Sequence, residues 1–498
     1  MKTKNLPLFF ISIIIIMLLL LDACSNHPDM KQFINENRLP VIFPDYTEIT
    51  IPPNIAPLNF YIKEISESFF VKIYGKNKDT IFCTTSKDVI IPESKWRKIL
   101  QENKGKKLTI DIYSKVPKGK WKKYKSIINS ISNENIDNYL AYRLIHPGYE
   151  NWQELGIYQR NLENFDESPV IHNRTIEDNC VNCHSFSKNN PQKMLIHIRG
   201  KHGGTVFIDG KSMKKINTSG KPLISGGVYP AWHPDGKHVA FSVNKISQMF
   251  HSVKEKNLIV MDTLSDLIVY NVDDNKIITN KAVFGKSHME TFPGWSADGK
   301  YLYYCRSNEI FDTIPYDKVR YDLMRIAFDT KTEKWGAPDT VISSAKINGS
   351  ISFPKISPNG QYLMFTLADY GTFPIWHDEA DLYLLDLKSG KYSKIKANSD
   401  KTESYHQWSS NSKWFVFSSK RMDGLWGRSF FSHVDERGNT SKPFVLSHKD
   451  PHFYDFFLKS FNVPELITGK IEADHFDLTT AIMGDSIQAV FDNTSLNH

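Results

Sequence analysis

Between Tyr46 and Ser132 the chain alternates apolar and polar residues in short runs: YTEITI, LNFYIKEI, FFVKIYG, DTIFCTT, DVIIP and LTIDIYS. A period of two puts successive side chains on opposite faces of a pleated strand, so each run reads as a half-buried β-strand. Turn residues separate the runs, and the set predicts a β-sandwich of immunoglobulin or fibronectin type over residues 45–132. One stretch, Glu93 to Glu102, breaks the alternation and reads as a helix.

Beyond Asp137 the hydrophobic pattern repeats. Tyr229-Pro230-Ala231-Trp232-His233-Pro234-Asp235-Gly236-Lys237 is followed by FPGWSADGKYLYY from Phe292, FPKISPNGQYLMF from Phe353 and YHQWSSNSKWFVF from Tyr405. The shared frame is aromatic-Pro-x-Trp-Ser-x-Asp/Asn-Gly-Lys and then an apolar strand. Asp-Gly or Asn-Gly supplies the positive φ of a tight turn, and the apolar run after it is a buried strand. DLIVYNV, DLMRIAF and DLYLLDL supply later strands of the same units. Upstream, CHSFSKNNPQKMLIHI with HGGTVFI fits the frame, and YLAYRLIHPGYENWQELGIYQRNL adds two strands more. Self-similarity of this kind means radially repeated blades.

These residues closely resemble the TolB-like family of β-propeller repeats, over about Asp137 to Lys449. The resemblance implies an all-β chain with six blades, and a propeller used for protein contacts in the cell envelope. It also implies a link to cytochrome c biogenesis, with which bacterial proteins of this sandwich-plus-propeller type are often labelled. The propeller is expected over residues 137–450, with a tail of one helix and one strand, 451–498, packed against it.

The start of the chain has a different pattern. Lys2 and Lys4 precede an apolar run from Leu8 to Leu21, then Asp22, Ala23 and Cys24. The run is shorter than the ~20 residues that cross a bilayer. A small residue directly before a cysteine resembles the bacterial lipobox, although Asp22 departs from it. Residues 1–23 therefore read as a lipoprotein signal peptide, Cys24 as the lipidated N-terminus of the mature chain, and 24–44 as a tether. The expected location is outside the cytoplasm, anchored to the cell envelope, with envelope proteins as partners and the membrane reached through the lipid.

A net charge of +7, from 62 basic and 55 acidic residues, is spread along the chain. Its one dense basic run, Lys115 to Lys125, reads as a solvated hairpin face. Nucleic acid is not an expected partner.

Cys180-Val181-Asn182-Cys183-His184 has the C-x-x-C-H spacing of c-type haem attachment, in which two thiols form thioethers and the imidazole takes the iron. Export suits it. If Phe186 stands at the Trp position of the frame, His184 aligns with Pro230, Pro293, Pro354 and His406, which puts the motif at the mouth of the central channel. His288 and His406 are the candidate second axial ligands. His202 lies one strand too far away, and Met194 and His197 read as core or channel lining. The same residues allow other chemistry: a disulfide between Cys180 and Cys183, or a zinc ion held by the cysteines and His184. Cys83 and Cys305 read as core residues.

No G-x-S-x-G, H-E-x-x-H or sialidase-type turn is present in the sequence. Glu290, Glu403 and the loop His377-Asp378-Glu379 are the acids that could serve a carbohydrate-active or hydrolytic enzyme, and as solvated loop charges they would serve none. The leading expectation is a non-enzymatic recognition platform bearing a haem or a disulfide.

Overall fold

The computed structural model describes residues 33–76, 80–115, 121–146, 154–251, 256, 258–308 and 314–497. The leader, Cys24 and the centre of the basic run lie outside them. Among the described residues no helix is long and apolar enough to cross a membrane.

The N-terminal part is a β-sandwich. Its larger sheet has seven strands, with Lys107–Lys115 paired on both sides, and a three-stranded sheet is built from Ile42–Phe43, Phe60–Ile62 and Asp88–Val89. Phe60 and Ile62 of the smaller sheet share one core with Val71, Ile73, Ile110 and Ile112 of the larger. The helix Glu93–Glu102 closes the sandwich by burying Trp96, Ile99 and Leu100. The Trp96 indole donates to the Ile55 carbonyl at 3.0 Å, so its polar atom is satisfied as its ring is buried.

Six antiparallel sheets then form a β-propeller. Blades 2 to 6 open with the inner strands Cys180–Phe186, Val228–Trp232, Met289–Trp295, Ser350–Ile356 and Glu403–Trp408, each followed by three strands outward. Blade 1 is composite. Its three outer strands are Tyr139–Ile145, Gly156–Asn161 and Glu167–His172, but its inner strand, Ser460–Ile467, comes from the far end of the chain. The six inner strands pack in a ring, each against its two neighbours. The propeller thus extends past residue 450 to Ile467, and the strand expected to lie against it is the one that closes it. Beyond it, the helix His475–Met483 is followed by Ile487–Gln488 and Val490–Phe491, which pair in parallel with the outer strands of blades 2 and 3.

The turn chemistry explains the repeat. In blade 4 the Ser296 hydroxyl bonds Asp298 and receives the Tyr301 amide; Ser357 with Asn359 and Ser409 with Asn411 do the same in blades 5 and 6. In blade 3 His233 replaces the serine. Its Nδ1 accepts the Asp235 amide and its Nε2 meets the Gly299 carbonyl. His233, Asp235 and His238 are close enough together to suggest a cation site, yet both His233 nitrogens are already used and the group braces the turn.

The sandwich rests on blade 6. Trp414, Phe415, Phe431 and Phe444 belong to the same apolar cluster as the sandwich core. The Trp414 indole donates to the Glu134 carbonyl, and the Asn59 amide donates to the Lys449 carbonyl.

Candidate functional site

At one end of the propeller axis lies a cavity of about 960 Å³. Each blade contributes the residue that stands in one position of the repeat: Pro464, His184, Pro230, Pro293, Pro354 and His406. Cys180, Cys183, His184 and His406 therefore line one cavity, and a bulge brings them there. In five blades the strand carries an extra residue just before this position, and the residue preceding it takes a left-handed backbone: Val463, Tyr229, Phe292, Phe353 and Tyr405 have φ of 46°, 50°, 52°, 53° and 48°. Such a conformation costs a bulky side chain ~1–3 kcal/mol, which the surrounding ring must offset.

Blade 2 differs. Its bulge falls at Asn182, between the pairs Val181 with Ile198 and Cys183 with His197, and Cys183 is not left-handed. Because the bulge adds one residue, Cys180 and Cys183 share the strand face of their partners Arg199 and His197, whereas regular alternation over three residues would part them. By the same count their backbones lie roughly 7 Å apart, at the outer limit for a disulfide. Both are free thiols, half-buried. Burial pushes the Cys183 thiol up, against the lowering influence of Arg143 and Arg199. The Asn182 amide donates to the Cys183 sulfur at 3.1 Å.

His184 is 2% exposed. Neither ring nitrogen has a partner at hydrogen-bond geometry, although the Val463 carbonyl lies near enough to favour the charged form. Its nearest acid is Glu465, at 3.8 Å. Burial drives its pKa down to about 3, with a further push from Arg143, so the ring is a neutral imidazole at pH 7. His406 is prepared differently. Its Nε2 meets the Met364 carbonyl at 3.0 Å, which makes that nitrogen the protonated one; Nδ1 is buried without a bond at full geometry, and the Phe353 carbonyl also lies near the ring. Burial holds it at about 3 as well. A neutral imidazole with one nitrogen tied to a carbonyl and the other bare is the usual preparation of a metal ligand.

The remaining candidates fall elsewhere. His288, half-buried just before the inner strand of blade 4, does not line the cavity. The wall there is taken by Asn244 and Ile246 of the long blade 3 hairpin, whose Asn244 amide reaches the Thr291 hydroxyl at 3.2 Å. His288 is thus not brought together with His184 and His406. His202 lies outside the cavity too and pairs with Glu177 at 3.2 Å. His197 lines it, with Nδ1 on the Thr205 hydroxyl, and Met194 is core. Cys305 is fully buried and Cys83 packs partly against the sandwich core.

None of the acids considered for enzymatic work lines the cavity. Glu403 is locked by Arg421 at 2.9 Å and by Ser399 and Ser419. Glu379 pairs with Lys256 and His377, and Asp378 with Lys401. Glycoside hydrolysis needs two carboxyl groups facing one bond, and among the described lining residues Glu465 alone is acidic.

Sequence reasoning missed Arg143, Lys355 and Glu465. Arg143 is 4% exposed, donates to the Asn182 carbonyl and to Asn462 at 2.7 Å, and so ties the Cys180–His184 segment to the strands Tyr139–Ile145 and Ser460–Ile467 of blade 1. Burial raises the Glu465 carboxyl to about 7.

No family model matches the chain, and no curated protein does. Among solved structures it is similar to TolB from Acinetobacter baumannii, with 12% identity over 75% of this chain and 85% of that one and a TM-score of 0.43. It is also similar to an auxiliary nutrient binding protein from Bacteroides thetaiotaomicron (10% identity, 82% of this chain and 100% of that one, TM-score 0.33). Hydrazine synthase from Kuenenia stuttgartiensis follows (14% identity, 50% and 63%, TM-score 0.31). Likenesses this distant say nothing of what the chain binds.

Proposed function

We propose that the axial cavity is a covalent c-type haem site, and that the protein is an exported, lipid-anchored redox or haem-handling component of the cell envelope, with its propeller as a binding platform. The observation that carries the reading is His184: a neutral, fully buried imidazole that makes no hydrogen bond at full geometry and has only the Val463 carbonyl and Glu465 nearby, one residue from Cys183, at a cavity large enough for a cofactor. A buried imidazole left unpaired costs about 1–3 kcal/mol, a cost that a bound metal removes.

The residues present fit the group. Cys180 and Cys183 share one strand face and would form the two thioethers, each thiol adding its sulfur and its hydrogen across one vinyl double bond with no net oxidation. His184, which follows Cys183 on the opposite strand face, would supply one nitrogen to the iron and His406 the other. When bound, such a group supplies one-electron redox chemistry. Zinc at the same residues is the weaker reading, because Cys180 and Cys183 do not cluster with His184 closely enough to hold an ion; among the described residues only His233, Asp235 and His238 do.

The test is expression with its leader in a host with active cytochrome c maturation, then haem staining after full denaturation. Stain surviving denaturation, and abolished in Cys180→Ala/Cys183→Ala, is expected; a colourless wild-type protein overturns the haem reading. Labelling with a radioactive fatty acid tests the anchor: Cys24→Ser should lose the label, and an unlabelled wild-type chain refutes lipidation.

A further inference from the structure

The cavity has two unlike walls. On one, four aromatic rings from successive blades stand in contact: Tyr229 and Phe292 have ring centroids 4.5 Å apart, Phe292 and Phe353 4.2 Å, and Phe353 and Tyr405 4.9 Å. All four line the cavity, Tyr229 and Tyr405 half-buried at the ends of the arc and Phe292 and Phe353 reaching it with 4% and 6% of their surface, and all four are held by the left-handed bulge described above. They form one aromatic arc around two-thirds of the ring, from blade 3 to blade 6. Ile246 and Phe250 of the blade 3 hairpin, 38% and 67% exposed, extend the apolar wall.

The other wall, from blades 1 and 2, is cationic. Arg143, Arg199 and Lys201 line it, and Lys355 reaches the cavity from blade 5. Against these four cations the described lining residues offer one acid, Glu465, and at the rim Lys201 also pairs with Glu177 at 3.3 Å. Arg199 and Lys201 are exposed at the rim, whereas Arg143 is buried. Cations gathered in a concave, partly dry site attract an anion more strongly than they would on an open surface.

From this division we propose that the cavity selects a flat, apolar organic anion whose carboxylates lie at one edge: the apolar body packs on the Tyr229–Phe292–Phe353–Tyr405 arc, and the carboxylates meet Arg199 and Lys201. The inference rests on the haem reading for its site, since a haem is one member of this class through its two propionates, and on different side chains for its argument. Recognition by the arc and the cations comes before any thioether and does not need one. Arg199 and Lys201 are therefore specificity residues of the cavity, and Cys180 and Cys183 act after binding.

The test uses mesoporphyrin IX, which has no metal for His184 to take and no vinyl groups for the thiols to attack. Its fluorescence is titrated with the purified full chain, beside its uncharged dimethyl ester. The acid is expected to bind wild type and Cys180→Ala/Cys183→Ala alike. The ester should bind at least about tenfold more weakly, and Arg199→Glu/Lys201→Glu should weaken the acid by about tenfold or more while leaving the ester unchanged. Both substituted cations are exposed, so the variant should keep the wild-type melting temperature, which is measured alongside. Equal affinity for acid and ester, an unaffected charge-reversed variant or no binding at all overturns the inference. The two readings fail separately: mesoporphyrin binding by a chain that never stains for haem removes the covalent site and keeps this one. Covalent staining without preference for the acid does the reverse.

Discussion

Blade 2 and blade 4 follow one plan of four antiparallel strands, and their inner strands part at the axis. Blade 4 places Phe292-Pro293 there, the ring on the aromatic arc and the proline on the cavity. At the same height blade 2 places Cys183-His184, moves its bulge to Asn182 and gives up the left-handed turn. Two residues on, the blade 4 Trp295 indole donates to the Ala231 carbonyl of the preceding blade at 3.1 Å. Blade 2 leaves both nitrogens of His184 without a hydrogen bond at full geometry. A repeat kept in blade 4 and departed from in blade 2, at the C-x-x-C-H segment, is what the proposed site at His184 would require.

The comparison can be broken most severely at closure. Leu466 is fully buried on the inner strand that completes blade 1. Leu466→Asp should cost ~4 kcal/mol or more by burying a charge, and denaturant unfolding should show the whole propeller lost rather than one blade. A melt that spares blades 2 to 6 would show that the ring does not need this strand.

A second effect depends on pH. Burial holds His197 at about 3, below its unfolded value near 6.5. The unfolded chain takes up the proton first as pH falls. Stability is therefore complete above about 6.5 and declines below it, at up to about 1.4 kcal/mol per pH unit for this residue, until the folded pKa is reached. His197→Gln should flatten the acid limb of the unfolding curve, checked by urea titrations between pH 4 and 7.

His184→Leu sharpens the contrast between the blades. In haem-free protein it removes two orphaned polar atoms and should raise stability by ~1–3 kcal/mol, whereas a truncation of well-paired Trp295 lowers it. Restoring the repeat letters in blade 2, with Cys183→Phe and His184→Pro, should abolish haem staining. The smallest effect is at the junction with the sandwich. His452 stacks on Tyr61 at 4.2 Å and bonds Asp455 and Asp88, chiefly Asp455 raising its pKa. This exposed clasp contributes below the unfolded value near 6.5 and is lost as pH rises through the folded pKa, so His452→Asn should cost a few tenths of a kcal/mol at pH 6 and nothing at pH 9, by thermal melts.

Much of the fold was legible because its signals are local. The Asp-Gly and Asn-Gly turns, the Trp-Ser braces and the helix Glu93–Glu102 each depend on residues a few positions apart. The alignment of His184 with Pro230 and His406 follows from the same frame, and all three line the cavity. What the sequence hid is non-local. Arg143 and Glu465 enter the site through a strand pairing across more than half the chain, and no pattern near either residue announces it. His288 looked equivalent to His406 by proximity to an inner strand, but the long blade 3 hairpin occupies its wall. The aromatic arc was visible as letters of the repeat, while the contact between its rings required the ring of blades.

Intact mass spectrometry of the mature chain, expressed in a host with active cytochrome c maturation, tests the central claim most directly. The account predicts a chain heavier by one haem, with the added mass mapped by peptide fragmentation to the segment holding Cys180 and Cys183 and absent from Cys180→Ala/Cys183→Ala. A wild-type chain whose Cys180 and Cys183 carry no added group, whether as free thiols or as a disulfide two hydrogens lighter, would contradict it.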